Sequence, residues 1–217
     1  MWTSKYVNRK RKRSKYLKLA NNDDSSDSEN EESCGNDSKM NIYSTDNHIY
    51  FYSGVSHKSC FTLNKEIRKV TLNMMNLSIR YSIDPPPIYL HIKSDGGCVF
   101  SAISTIDTIT NNKVPIYSII EGSAASAGTL ISVVAKKRFI SKNAFMLIHQ
   151  LSSGFWGKMS EIKDDFKNNE ELMKFIRQIY LTHTKVSKKT INELLEHDIY
   201  WNAEKCVSLK LVDEILS

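Results

Sequence analysis

Gly122-Ser123-Ala124-Ala125-Ser126-Ala127-Gly128 lies between two apolar runs, Val114 to Ile120 before it and Thr129 to Ala135 after it. Strand, small-residue turn, helix is the setting in which a serine becomes a nucleophile, because the turn lifts the hydroxyl to a helix N-terminus. Small neighbours let a substrate backbone come close. Small residues also occur where a helix packs tightly on a sheet, so the rest of the chain has to decide between the two readings.

Upstream, the spacing predicts a strand over His48 to Tyr52 and a helix over Cys60 to Tyr81, with Phe61, Ile67, Val70, Met74 and Leu77 on its buried side. Pro85-Pro86-Pro87 leads into a short strand, Ile88 to Ile92. Ser94-Asp95-Gly96-Gly97 reads as a turn, Val99 to Thr110 as a helix, and Pro115 opens a strand over Ile116 to Ile120. Strand, helix, strand is a βαβ unit, which predicts an α/β fold on a parallel sheet with right-handed crossovers.

Downstream, Thr129 to Ala135 completes a helix, and Arg138 to Ile140 and Phe145 to Ile148 are short strands. Met159, Ile162, Phe166, Met173, Ile176 and Tyr180 mark a helix of about six turns. Such length in a small domain predicts an arm that packs on another subunit as well as on its own core. Ser187 caps a shorter helix through Glu196, and Asn202 caps the last one, Ala203 to Leu209, ahead of Val212 to Leu216.

The 217 residues suit one domain plus tails, and a 41% hydrophobic fraction fills a core without disulfide staples. Cys34, Cys60, Cys98 and Cys206 show no metal spacing and read as reduced thiols of an intracellular protein, expected in the cytoplasm and without a cofactor. No apolar run reaches the roughly 18 residues of a membrane span. The net charge of +6 is unevenly spread. Residues 1–20 hold eight Lys/Arg and no acid, residues 21–39 hold seven Asp/Glu and one Lys, and the remainder has 21 basic and 17 acidic groups. Nucleic-acid binding by the folded part is therefore not implied, although Arg9 to Arg13 suit a polyanion or a nuclear address. Residues 1–40 read as a disordered, basic-then-acidic extension.

A nucleophilic serine needs a base, a group that fixes the base's tautomer, and donors for the oxyanion. Of six histidines, His149 stands out because it ends the apolar strand Phe145 to Ile148. Asp198 lies between Leu194-Leu195-Glu196 and Tyr200-Trp201, where partial burial would let it orient an imidazole. A satisfied core histidine and a solvated turn carboxylate are the plainer readings of these two.

Over residues 41–217 the chain resembles the proteolytic subunit of the Clp protease family. The resemblance rests on Gly122 to Gly128, Met146-Leu147-Ile148-His149-Gln150, Asp198 followed by Tyr200 to Glu204 and Leu211 to Ile215, and Asp95-Gly96-Gly97. It implies the α/β fold of the Clp protease/crotonase type: repeated ββα units, a parallel sheet and a protruding handle helix. It also implies Ser126 as nucleophile, His149 as general base, Asp198 as its orienting acid, and the amides of Gly97 and Ala127 as the oxyanion hole.

The implied activity is a serine endopeptidase acting on unfolded polypeptides inside two stacked heptameric rings, fed by an ATP-driven AAA+ unfoldase. No GxxxxGK[ST] pattern occurs in the chain, so ATP hydrolysis falls to that partner. Asp95 and Leu151 stand where the family usually has proline, His197 and Ile199 flank the acid where arginine is common, and Lys210 replaces a helix-ending glycine. Lys210 is thus expected either to take a left-handed conformation at about 1 kcal/mol or to distort the helix end. Two alternatives share the fold: a silent ring subunit, and an acyl-CoA enzyme of the crotonase type.

Overall fold

A computed structural model describes residues 41–216. The expectations for residues 1–40 lie outside the described residues. Two units divide the chain: residues 154–166 belong to one, and residues 39–153 with 167–217 form the other.

The second unit is built on an eight-stranded sheet. Its first strands are β1 (Asn41–Thr45) and β2 (His48–Tyr52), an antiparallel hairpin turning at Asp46. Then come α1 (His57–Tyr81), β3 (Ile88–Ser94), α2 (Val99–Thr110), β4 (Ile116–Ala125), α3 (Ala127–Val133), β5 (Lys137–Ser141) and β6 (Phe145–Leu147). The chain closes with α4 (Met159–His183), α5 (Lys188–Leu195), β7 (Tyr200–Asn202), α6 (Ala203–Ser208) and β8 (Glu214–Leu216). The path β1-β2-β3-β4-β5-β8 is parallel from β2 onward, as the βαβ pattern predicted.

Several elements differ from expectation. β4 does not stop at Ile120 but runs through Ala125, so the expected seven-residue turn shrinks to the single residue Ser126. The cause is a bend. Gly122 adopts φ 66, and the register with β3 jumps from Ile92↔Ile120 to Ser94↔Ala124. The first half of β4 pairs with β5 (Tyr117↔Lys137 to Ile120↔Ile140). After the bend, Ser123 to Ala125 pair instead with β6, which is itself joined antiparallel to β7.

α1 begins three residues early because Ser56 and Ser59 form a capping box. Its buried stripe is Cys60, Leu63, Ile67, Val70 and Met74. Phe61 is 66% exposed, since it sits about 100° round the helix from Cys60, and Leu77 is also exposed. In α4 only Ile176, Ile179 and Tyr180 are buried, so the expected stripe holds for the last two turns; Met159 and Phe166 are exposed.

The core lies between the sheet and α1, α2 and α3, centred on Ile49, Phe51, Leu90, Ile92, Ile120 and Ile140. Another set of sheet residues is aromatic and polar: Tyr43 stacks on Tyr50, Tyr50 on His91, and His48 on Tyr89. His48 Nδ1 lies 2.8 Å from His91 Nε2, His91 Nδ1 lies 2.9 Å from Glu121 Oε1, and Tyr52 donates to Glu121. Among the described residues no helix is long and apolar enough to cross a membrane.

Candidate active site

Ser126 joins β4 to α3 with φ 53 and ψ −126, a conformation that L residues rarely take. Holding it costs on the order of 1–3 kcal/mol, a strain typical of functional turns. The turn leaves the serine partly exposed at the head of α3, while Ala125 and Ala127 on either side are buried. Its N–H donates to Leu147 O at 2.9 Å, which fixes the turn to β6.

The Asp95-Gly96-Gly97 loop follows β3 beside this turn. Gly96 has φ 87, and a Cβ there would stand 2.6 Å from Ser126 Cβ. Gly97 has φ 141, and a Cβ there would stand 2.2 Å from Val55 O. Val55 N–H donates to Gly96 O and Cys98 N–H to Val55 O, leaving the Gly97 N–H between them without an acceptor among the described residues. The Ala127 N–H, in the first turn of α3, is likewise uncommitted.

His149 follows buried Ile148 at the end of β6, and Gln150 N–H donates to Leu195 O at 2.9 Å, tying this segment to the end of α5. That tie brings the loop after α5 to the histidine. His149 Nδ1 lies 3.7 Å from Asp198 Oδ1, within ion-pair range but beyond a hydrogen bond. The expected partial burial of Asp198 is absent: its side chain is 80% exposed, because Glu196 to Tyr200 all face solvent.

Ser126, Ala127, Gly97 and His149 line one cavity of about 90 Å³. Its apolar wall includes Val99, Leu130, Leu151 and Ile176. The structure thus gathers all five residues singled out from sequence: four around one cavity, and Asp198 behind the imidazole. Two others were missed. Thr129 donates its hydroxyl to Ser126 O at 2.6 Å, and Tyr180, which also lines the cavity, contacts Thr129 Oγ1 at 2.6 Å. A threonine three residues after a turn serine can bond back to its carbonyl, and that spacing was the available signal.

Such a site, a strained serine at a strand-to-helix turn sharing one cavity with an imidazole and two uncommitted backbone amides, suits acyl transfer. The sequence model of the Clp protease family matches residues 45–217, and the chain belongs to that family.

Proposed function

We propose that the chain is a serine endopeptidase. His149 takes the Ser126 hydroxyl proton through Nε2 as Oγ attacks the scissile carbonyl, while Nδ1 stays turned to Asp198. The Gly97 and Ala127 amides receive the oxyanion, each worth roughly 10²–10³ in rate. Protonated His149 then gives its proton to the leaving amine, leaving an acyl-serine. Water, deprotonated by the same histidine, hydrolyses that ester and restores the hydroxyl. The wall of Val99, Leu130, Leu151 and Ile176 suits an apolar side chain next to the cleaved bond.

The observation that supports this reading is the convergence of Ser126, His149 and two uncommitted amides on one cavity. In this reading the substrates are unfolded polypeptides, reaching the site in the cytoplasm inside a double heptameric ring loaded by an AAA+ unfoldase; membership of the Clp protease family supports the proteolytic ring. One observation favours a second reading, a silent ring subunit: the single chain leaves Asp198 exposed and 3.7 Å from His149. A serine-reactive fluorophosphonate decides between them. Labelling of the assembled protein that disappears in Ser126→Ala supports the peptidase, and a folded, assembled sample that stays unlabelled supports the silent subunit.

A further inference from the structure

Ser126 is gripped at both ends of its backbone. Its N–H is held by Leu147 O, and its carbonyl accepts from both the Thr129 N–H at 3.0 Å and the Thr129 hydroxyl at 2.6 Å. Thr129 has one hydroxyl proton, and that bond uses it. The 2.6 Å contact between Thr129 Oγ1 and the Tyr180 hydroxyl therefore has Tyr180 as donor. Tyr180 is 2% exposed, and burial pushes its hydroxyl well above the usual phenol range, so the donor proton stays in place. The result is a directed chain, Tyr180 to Thr129 to Ser126 O, running from α4 to the turn.

A peptide unit is planar, with its C=O and the following N–H pointing in opposite directions. Fixing the Ser126 carbonyl therefore fixes the aim of the Ala127 N–H. At φ 53 and ψ −126 the turn lies far from any relaxed well, and nothing in the local backbone preference would hold that aim.

We propose that Thr129 and Tyr180 are positioning residues that aim the Ala127 amide at the oxyanion, joining α4 to the reaction centre. The proposal rests on Ser126 being the nucleophile. It assigns the pair no contact with the reacting atoms. Their loss blurs one oxyanion donor and leaves the cleft wall in place, so turnover falls while substrate affinity holds.

The test uses the assembled full-length chain, with a fluorogenic peptide for kcat and KM and a fluorophosphonate for the serine labelling rate. Thr129→Val and Tyr180→Phe are each expected to lower kcat and the labelling rate about five- to tenfold, with KM within twofold. Thr129→Ser, which restores the hydroxyl, is expected to stay within twofold of the parent. Should Thr129→Val fail to fold, Tyr180→Phe, which removes a single oxygen, carries the test. Parent-like kcat and labelling in the variants overturn the proposal, as does an equal loss in Thr129→Ser, which would mark the site as packing alone. An unlabelled parent overturns the Ser126 reading itself, a result distinct from a labelled parent with unaffected variants.

Discussion

Glycine is irreplaceable at two adjoining positions for two different reasons. Gly97 holds φ 141 against the Val55 carbonyl, and Gly96 holds φ 87 against Ser126. Gly97→Ala is expected to destabilise the fold by about 2–4 kcal/mol and to abolish peptide cleavage, read by thermal melting and by turnover. Gly96→Ala pushes directly on Ser126 and is expected to cost activity more than stability. The cysteines give a second residue-level prediction. Burial raises Cys60 and pushes Cys206 up to about 12, whereas Cys98 is exposed. Iodoacetamide at neutral pH should alkylate Cys98 before either buried thiol, as peptide mass spectrometry would show. The glycine pair was readable as a turn because positive φ favours glycine, whereas Ser126 was singled out by its strand, turn, helix setting and by the family resemblance. The pairing of Thr129 with Tyr180 was not, since fifty residues separate two ordinary side chains that only the folded chain brings together.

Caps and clamps govern the elements. α6 ends as expected with Lys210 at φ 63, and the Lys210 N–H to Val207 O and Leu211 N–H to Cys206 O bonds complete a Schellman turn. Lys210→Gly should stabilise the protein by about 1 kcal/mol, raising its melting temperature, because glycine takes that angle without strain. Arg138 on β5 makes a forked pair with Asp213 (Nε to Oδ2 3.0 Å, Nη2 to Oδ1 2.6 Å) and also donates to His183 O at the end of α4. Asp213→Ala leaves the buried guanidinium without its carboxylate. Since that carboxylate is a third exposed, the expected loss is about 2–3 kcal/mol, below the range for fully buried pairs and measurable by urea unfolding. Most helices and strands were legible from periodicity and caps, and Val99–Thr110 was read to the residue. The reach of β4 was not, because small residues at 122–128 fit either a turn or a bent strand, and pairing with β6 decides it. The face of α1 was misread at Phe61, where a large apolar residue stands just off the stripe.

For the molecule as a whole, titration has a defined sign. Burial and then His91 hold His48 below its ordinary 6.5, with Asp46 opposing; burial and then Arg138 hold His183 below the same value. The unfolded chain takes up these protons near pH 6.5 while the folded chain resists. Their stabilisation is therefore full above about pH 6.5 and is lost as pH falls towards the lower folded values. Asp213 acts further down: burial opposes ionisation, but hydrogen bonds from Arg138 prevail and lower it, so its share survives until pH drops below the ordinary 3.8. The melting temperature should decline from pH 7 to 5, and His48→Gln should flatten that decline. The bend at Gly122 has a mechanical meaning of its own. One half of a single strand is anchored in the parallel sheet, and the other half in a short ribbon of three-residue strands. Amide protons should accordingly exchange in two tiers, slowly at Ile119 and Ile120 and much faster at Met146 and Trp201. The candidate site would then possess a rest position, its serine turn slackened while the foundation beneath stays shut.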